Sequence, residues 1–266
     1  MDNRPIAMFD SGFGGLTALK EFRKMCPDER IIYFGDTGRM PYGAKTVNQL
    51  HTIVRQNLDF LKGLGAKAII IACGTASVNS DEIIASYDIP TIGAVKPSVN
   101  RLAGLAGDGP ICIIATAASI SSGAYERGLR ASGVTRELIS IPCPDFVTLI
   151  ESGHTSADDP LVREAVERYL APAKEKKAQT ILLGCTHYGI IGEAIARFLG
   201  EEVEQISAAE CVAREMAELL DEGSRASGQG GVCYYTSGNA QDFARLGSMI
   251  LGEEVSGVRE VPVMEY

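Results

Sequence analysis

The sequence contains no cluster of basic residues. It has 25 Lys and Arg residues against 34 Asp and Glu residues, which gives a net charge of −9. A nucleic-acid-binding surface needs Lys and Arg concentrated on one face, because positive side chains make the phosphate contacts. The sequence therefore disfavours nucleic acid as the main ligand, whereas the charge carries no information about the fold.

Long apolar runs are also missing. No run approaches the roughly 20 residues that a helix needs to cross a bilayer. The first ten residues, MDNRPIAMFD, lack the apolar stretch of a signal peptide. We therefore expect a cytoplasmic protein that does not associate with membranes.

The seven cysteines follow no disulfide or zinc pattern. Their number is odd and their spacing is wide and irregular, so we expect no disulfide framework in a reducing compartment. No C-x-x-C or H-E-x-x-H spacing occurs, so we expect no metal site. Two cysteines, Cys73 and Cys185, have matching sequence contexts. We expect a structural role for the other five: Cys26, Cys112, Cys143, Cys211 and Cys233.

Short apolar runs that alternate with amphipathic stretches organise the 266 residues, a length that suits two lobes of ordinary size. Six Ile-rich runs predict strands buried on both faces of a parallel sheet, at 6–9, 31–34, 68–72, 111–114, 138–141 and 181–183. Eight stretches with helical spacing of apolar residues predict helices at 16–24, 49–61, 80–85, 99–105, 124–131, 161–177, 192–199 and 208–220. This alternation predicts an α/β doubly wound fold.

An internal repeat predicts two lobes. Residues 69–75 (IIIACGT) resemble residues 181–187 (ILLGCTH), and each stretch carries a cysteine after a predicted strand. We expect two similar doubly wound lobes with mainly parallel sheets and an active site in the cleft between them, because ligands bind beyond the carboxyl ends of such strands. We assign residues 1–97 and 208–266 to the first lobe and 98–207 to the second. The Gly- and Ser-rich residues 223–231 should form a surface loop.

The positions of Cys73 and Cys185 point to reactive thiols. A cysteine at a strand-to-helix turn lies near backbone N–H groups and a helix N-terminus, which lower the pKa of a thiol. A single such cysteine could equally be a small buried apolar residue. Because two occur in matching contexts, we favour a functional role for both.

Two further positions, Asp10 and His187, stand at predicted strand ends, and a third, Glu151, follows the apolar run 146–150. Asp10 opens the turn DSGFGGLT, which fails the G-x-G-x-x-G dinucleotide pattern because Thr17 occupies the third Gly position. The backbone N–H groups of this turn could instead hold a carboxylate. Asp10 could also be a simple helix cap. His187 lies two residues after Cys185 and could raise its thiolate fraction or donate a proton. Glu151 is best interpreted, from sequence alone, as an exposed helix residue.

Together these motifs resemble the glutamate racemase family. The matching stretches are 10–17 (DSGFGGLT), 33–43 (YFGDTGRMPYG), 72–77 (ACGTAS), 121–129 (SSGAYERGL), 143–151 (CPDFVTLIE), 182–189 (LLGCTHYG) and 234–239 (YYTSGN). They span nearly the whole chain in the family's order. DSGFGGLT and LGCTHY are specific in combination.

The resemblance implies interconversion of L- and D-glutamate without cofactor or metal, a role in supplying D-glutamate for peptidoglycan, and a homodimer. It implies that Cys73 and Cys185 are the two bases and that Asp10, Glu151 and His187 assist as acids or bases. It places these residues around the substrate: Asp10, Ser11, Pro41, Tyr42, Gly43, Gly74, Thr75, Thr116, Ser119, Thr186 and His187.

The sequence departs from the family pattern at five positions. Gly74 stands where the family has Asn, which removes a polar contact beside Cys73, and Ser119 replaces Thr conservatively. Three other departures lie away from the expected substrate contacts. Gly189 stands where the family has Pro, Lys96 where it has an acidic residue, and Ile206 where it has Asp. Gly74 thus bears on substrate identity and efficiency more than on reaction type.

Several alternatives remain open on the sequence. The closest is a racemase of the same superfamily acting on aspartate or another amino acid, and a one-thiol decarboxylase would need only one cysteine. A two-lobed binding protein would not exchange the α-proton of glutamate with heavy water. A cysteine hydrolase would use Cys185 and His187 without Cys73 and would form an acyl intermediate.

Overall fold

The fold consists of two parallel β-sheets covered by helices. A computed structural model describes residues 1–220 and 223–262. In those residues the strands are β1 (Ile6–Asp10), β2 (Arg30–Gly35), β3 (Ala68–Ile71), β4 (Thr91–Gly93), β5 (Ile111–Ala115), β6 (Leu138–Pro142), β7 (Thr180–Leu183), β8 (Glu204–Ser207), β9 (Gly231–Thr236) and β10 (Arg259–Glu260). The first sheet has the order β10-β9-β2-β1-β3-β4 and the second has the order β6-β5-β7-β8.

Helices connect these strands. They are α1 (Leu16–Met25), α2 (Val47–Gly63), α3 (Gly74–Ser77), α4 (Asp81–Ala85), α5 (Val95–Ala103), α6 (Ala117–Ser122), α7 (Ala124–Ala131), α8 (Pro144–Glu151), α9 (Pro160–Glu175), α10 (Gly192–Leu199), α11 (Ala208–Leu219) and α12 (Ala240–Leu251). Short 3₁₀ turns span Thr37–Arg39, Tyr42–Ala44 and Tyr188–Ile191. No helix in the described ranges is long and apolar enough to cross a bilayer.

The predicted α/β fold with two mainly parallel sheets is confirmed, since every strand pairing within both sheets is parallel. Strand β1 is buried along its whole length. Its residues alternate between two cores, with Met8 in one and Phe9 in the other. Burial on both faces explains why such strands are Ile-rich runs rather than alternating ones.

Both sheets have a reversal of strand order that forms a crevice. Strand β1 lies between β2 and β3, and β5 lies between β6 and β7. The helices that follow each central strand pack on one face of its sheet and those that follow its two neighbours pack on the other face, so the ends of these strands form a binding crevice. Cys73 follows β3 and Cys185 follows β7. Each thiol therefore lies at the carboxyl end of the equivalent strand in its own sheet.

Four strands and four helices lie outside the predictions, namely β4, β8, β9, β10, α3, α6, α8 and α12. The missed strands are short or partly exposed, and β8 has a single fully buried residue, Ile206. The predicted loop 223–231 is a loop as far as residue 230, and Gly231 begins β9.

The second sheet is built from residues between 111 and 207, and the first from residues on either side of that range. Helix α11 then packs against α1, which returns the chain to the first sheet. A core of buried side chains joins the two units, because Met8 and Ile70 belong to the same cluster as Ile113 and Leu182. The proposed lobe boundaries at residues 97 and 207 stay a prediction.

A buried ion pair lies at the amino ends of β2 and β3, on the side of the first sheet away from the strand ends that carry Cys73. Lys67 Nζ lies 2.8 Å from Glu29 Oε2, and both side chains are almost fully buried. The ammonium group also donates to the carbonyl oxygens of Asp2 at 2.7 Å and Ser224 at 2.6 Å. The Ala226 N–H donates to Glu29 Oε1 at 2.8 Å. The pair therefore ties together four segments that are far apart in sequence, at residues 2, 29, 67 and 224–226.

We predict that Glu29→Gln lowers the free energy of unfolding by about 3–5 kcal/mol, because it leaves the Lys67 ammonium buried without its counter-ion. Urea unfolding measures this change. The matched control is Glu21→Gln in the exposed pair of Lys24 and Glu21, which should cost no more than about 1 kcal/mol. Equal destabilisation by both variants would contradict the prediction.

Candidate functional site

A cavity of about 400 Å³ lies between the strand ends of the two sheets. Most residues predicted for the site line it, namely Ser11, Pro41, Tyr42, Gly43, Cys73, Gly74, Thr75, Thr116, Glu151, Cys185, Thr186 and His187. Asp10 and Ser119 do not line it but lie buried behind it. Six lining residues were not predicted: Met40, Ala117, Pro144, Val147, Thr148 and Gly184. Its size suits a small molecule.

The Cys73 thiol is buried at the first turn after β3. It donates to the hydroxyl oxygen of Ser11 at 3.6 Å. Burial, assisted by the nearby Asp10 carboxylate, raises the pKa of Cys73 to about 12, although hydrogen bonds from backbone N–H groups act in the opposite direction. The expectation that the turn lowers this pKa is therefore wrong for Cys73, because desolvation outweighs the helix N-terminus. Cys73 is a thiol at neutral pH.

Cys185 is less buried and lies beside an acid–base pair. Its Sγ is 3.8 Å from His187 Nδ1, and His187 Nε2 is 3.0 Å from Glu151 Oε1. Burial alone would lower the pKa of His187, but the hydrogen bonds to Cys185 and Glu151 outweigh it and raise this pKa to about 10. The interpretation of Glu151 as an exposed helix residue is wrong, because its side chain is only 18% exposed and reaches the site.

Asp10 links the two sheets. It is buried, and burial raises its pKa, although the nearby His187 acts to lower it. Its Oδ1 accepts the Gly12 N–H at 3.0 Å, and its Oδ2 accepts the Thr186 hydroxyl at 3.3 Å. The alternative that Asp10 caps a helix is wrong, because the N-cap of α1 is Gly15. The turn uses the Gly12 N–H for its own carboxylate.

Glycine in the same turn lets the opposite loop approach. A Cβ atom at Gly14 would lie 2.3 Å from both His187 Nδ1 and Thr186 Oγ1. Thr17, at the start of α1, donates its hydroxyl to the Thr186 carbonyl at 2.9 Å. The motif DSGFGGLT therefore holds the segment that carries Cys185, rather than a nucleotide.

A buried network holds the loop that carries Pro41, Tyr42 and Gly43. The hydroxyl of Tyr42 donates to Asp36, so its proton is already engaged outside the cavity. Arg39 donates to Asp36 at 2.8 Å. Sequence reasoning did not assign Asp36 and Arg39, although both lie in the stretch YFGDTGRMPYG that carries the resemblance.

Three hydroxyl groups form a chain at the base of the cavity. Thr75 Oγ1 lies 2.9 Å from Thr116 Oγ1, which lies 2.9 Å from Ser119 Oγ. Thr116 also caps α6, because its side chain accepts the Ser119 N–H at 3.2 Å. Ser119 thus orients Thr116 from behind, and the Thr75 and Thr116 hydroxyls remain at the cavity surface.

Gly74 touches the opposite loop directly. A Cβ atom at this position would lie 2.6 Å from the carbonyl oxygen of Gly184, the residue before Cys185. Tyr125 donates its hydroxyl to the same carbonyl at 3.3 Å. Any side chain at position 74 therefore requires the backbone before Cys185 to move.

The remaining candidates lie elsewhere. Lys96, Gly189 and Ile206 do not line the cavity. Of the five cysteines expected to be structural, four are buried, whereas Cys233 is exposed on β9. His154 pairs with Asp159 outside the site. Within residues 1–220 and 223–262, no group of three His, Cys, Asp or Glu side chains is arranged to hold a metal ion.

Comparison with known proteins adds to this geometry. The sequence model of the family described as Asp/Glu/Hydantoin racemase matches residues 19–216. The glutamate racemase of Desulforudis audaxviator (strain MP104C) is 36% identical over 266 residues, which covers 96% of this chain and 97% of that protein.

Solved structures agree with the sequence match. Glutamate racemase isoform RacE1 from Bacillus anthracis has a TM-score of 0.93 at 31% identity and covers 99% of both chains. Glutamate racemase from Francisella tularensis subsp. tularensis SCHU S4, solved in complex with D-glutamate, has a TM-score of 0.89 at 34% identity and covers 98% of both chains. The match in sequence and in fold extends over almost the whole length of these relatives. This chain therefore belongs to the Asp/Glu/Hydantoin racemase family, within it to the glutamate racemases, and is an amino-acid racemase.

Proposed function

We propose that the protein interconverts L- and D-glutamate by a two-base mechanism that uses Cys73 and Cys185 and no cofactor. The observation that carries the proposal is that one thiol from each sheet lines the same cavity. Inversion at the α-carbon requires a base on one face and an acid on the other, and two opposed lobes provide both. The structural relative that contains D-glutamate supports the choice of substrate.

The two thiols enter the reaction in different states. Cys73 holds its proton because of burial, whereas Cys185 lies beside His187, which is protonated at neutral pH and can stabilise a thiolate. We propose that the Cys185 thiolate removes the α-proton of L-glutamate while Cys73 donates its proton to the opposite face. The resulting D-glutamate leaves Cys73 as thiolate and Cys185 as thiol, so the protons balance.

The α-carbanion requires stabilisation, because the α-proton is very weakly acidic. In the described part of the chain no Lys or Arg lines the cavity. Stabilisation of the substrate carboxylates then falls to the Thr75 and Thr116 hydroxyls and to backbone N–H groups of the Tyr42–Gly43 loop, since the Thr186 hydroxyl already donates to Asp10. Such preorganised donors are effective in a site that excludes water.

A second candidate function is suggested by the array of Cys185, His187 and Glu151, which has the order of nucleophile, base and orienting group found in cysteine hydrolases. We rank it below racemisation, because it leaves Cys73 without a role in the cavity. An acyl-enzyme detected on Cys185 by mass spectrometry would favour the hydrolase. Racemisation of aspartate is the other alternative, and parallel assays with glutamate and aspartate discriminate between them.

We further propose that the enzyme is a cytoplasmic homodimer that supplies D-glutamate for peptidoglycan. Growth of a D-glutamate auxotroph on expression of the chain tests the cellular role. Light scattering of the purified protein tests the dimer.

We predict that the protein racemises glutamate after exhaustive dialysis against EDTA and without added pyridoxal phosphate or nucleotide. Circular dichroism of L-glutamate and D-glutamate solutions, followed to a common end point near zero, measures the reaction. Activity that returns only on addition of a cofactor would contradict the prediction.

We predict that Cys73→Ala and Cys185→Ala each abolish racemisation, because inversion needs both thiols, but that each keeps one half-reaction. A glutamate analogue with a leaving group on the β-carbon reports loss of the α-proton through elimination. Cys73→Ala should eliminate from the L-analogue only, and Cys185→Ala from the D-analogue only. A variant that eliminates equally from both enantiomers, or still racemises near the parent rate, would refute the two-base assignment.

Substitutions at position 74 test two opposing effects on activity, the gain of a hydrogen bond to the substrate and the loss of space beside the Gly184 carbonyl. The resemblance alone predicts that Gly74→Asn gains activity, since a hydrogen bond to a charged group contributes about 1.5–3 kcal/mol. The contact with the Gly184 carbonyl predicts a loss for any side chain. We therefore expect Gly74→Ala to lower kcat/KM relative to the parent, and Gly74→Asn to exceed Gly74→Ala roughly tenfold or more through its amide. Unchanged kcat/KM in Gly74→Ala would show that the approach of Gly184 does not matter for catalysis.

A further inference from the structure

One stretch that carries the resemblance, SSGAYERGL at residues 121–129, lies outside the cavity that both thiols line. It forms the end of α6 and most of α7. Gly123 joins the two helices at a φ of 64°, in the left-handed region that favours glycine. A Cβ atom at Gly128 would lie 2.8 Å from Val99 Cγ2, so α7 lies close against α5. These two glycines orient α7 and, on it, Tyr125.

Tyr125 reaches from α7 to the place where the two thiol-bearing turns meet. Its side chain is buried and belongs to the core that both sheets share. Its hydroxyl donates to the carbonyl oxygen of Gly184 at 3.3 Å. A Cβ atom at Gly74 would lie 3.7 Å from the same hydroxyl oxygen. The hydroxyl therefore lies beside the residue that precedes Cys185 and beside the residue that follows Cys73.

The Tyr125 hydroxyl keeps its proton throughout the reaction. Burial raises the pKa of Tyr125, and negative charge on Cys185 or Cys73 raises it further. Tyr125 is therefore a fixed hydrogen-bond donor and cannot serve as a base for the substrate.

The Gly184 carbonyl belongs to the peptide bond that leads into Cys185, and two neighbours enclose it. Tyr125 donates a hydrogen bond to it, and Gly74 lies so close that a Cβ atom there would be 2.6 Å from its oxygen. The N–H of Gly184 donates in turn to the Ile114 carbonyl at 2.7 Å. Both backbone polar groups of Gly184 are thus held, which fixes the backbone that carries the Cys185 side chain.

Different contacts hold the turn of Cys73. Ser77 donates its hydroxyl to the Cys73 carbonyl at 2.9 Å and its backbone N–H to the same oxygen at 3.0 Å. The Cys73 thiol itself donates to the Ser11 hydroxyl. Loss of the Tyr125 hydroxyl should therefore displace Cys185 and leave Cys73 in place.

We propose that Tyr125 is a positioning residue for racemisation, because its hydroxyl holds the peptide bond that leads into Cys185 and so sets the distance of this thiol from the α-carbon of glutamate. Reacting atoms need to lie about 3–3.5 Å apart, and a misplacement of about 1 Å can cost about 100-fold in rate. Between two opposed thiols the substrate cannot move toward one without leaving the other, so it cannot correct an error at Cys185 by shifting. This inference rests on the proposed two-thiol racemisation.

Steady-state kinetics of Tyr125→Phe test this role. The variant loses only the hydroxyl and keeps the ring in the core. The lost bond is longer than the usual length of about 2.8 Å, so its loss should cost the fold little. We expect kcat to fall by roughly 10- to 100-fold. KM should stay near the parent value, because other partners hold the proposed carboxylate donors, such as Ser119 behind Thr116.

The two half-reactions separate positioning from a general disturbance of the site. In a Cys73→Ala background Cys185 is the base, so adding Tyr125→Phe should slow elimination from the L-analogue by the same roughly 10- to 100-fold. In a Cys185→Ala background Cys73 is the base, so adding Tyr125→Phe should leave elimination from the D-analogue close to its earlier rate. An unaffected D-reaction also shows that the variant is folded.

The matched control is Tyr87→Phe. The Tyr87 hydroxyl donates to Asp59 at 2.7 Å outside the cavity, so this variant makes the same chemical change and should keep the parent kcat and both elimination rates. The positioning role is refuted if Tyr125→Phe keeps the parent kcat, or if elimination from the D-analogue falls at least as much as elimination from the L-analogue. If Cys73→Ala alone fails to eliminate from the L-analogue, the proposed two-thiol mechanism is refuted, and this inference with it.

Discussion

The close approach of the two strand-end loops at glycine residues is the constraint on which the site depends. Gly14 lies against the side chains of His187 and Thr186, and Gly74 lies against the Gly184 carbonyl, so a Cβ atom at either glycine would force the opposite loop to shift. Hydrogen bonds from Thr186 to Asp10 and from Thr17 to Thr186 hold the segments together. Because interiors are close-packed and adjust little, this contact defines the cavity and brings a thiol from each sheet to it.

Within that frame, electrostatics make the two thiols unequal. Cys73 is buried beside a carboxylate and keeps its proton, whereas Cys185 faces an imidazolium that Glu151 supports from behind. A racemase must work in both directions, and it starts each direction from a different protonation state. The two thiols therefore differ in the charge of their surroundings, although each follows the equivalent strand of its own sheet.

The donors that we propose for substrate recognition are neutral. The hydroxyls of Thr75 and Thr116 and the loop of Pro41–Gly43 are held from behind by buried partners, Ser119 in one case and the Asp36–Arg39 pair in the other. Donors fixed in this way need no reorganisation when charge develops on the substrate. Charged side chains of Lys or Arg would bind the substrate carboxylates tightly in the ground state, whereas differential stabilisation of the transition state is what accelerates the reaction.

The sequence by itself determined the fold class, the six Ile-rich strands and both thiols, because strands buried on two faces and cysteines that follow them are local patterns. It did not reveal β8, at the edge of the second sheet, or β9, next to the edge of the first, since strands with polar or exposed residues lack the apolar run that marks a buried one. Only the tertiary structure decided the state of each group in the site. Glu151 is 36 residues from His187 in sequence, and the pKa of Cys73 depends on burial by segments that local pattern cannot bring together. Proton affinity is set by the whole surroundings of a group, which exist only once the chain has folded.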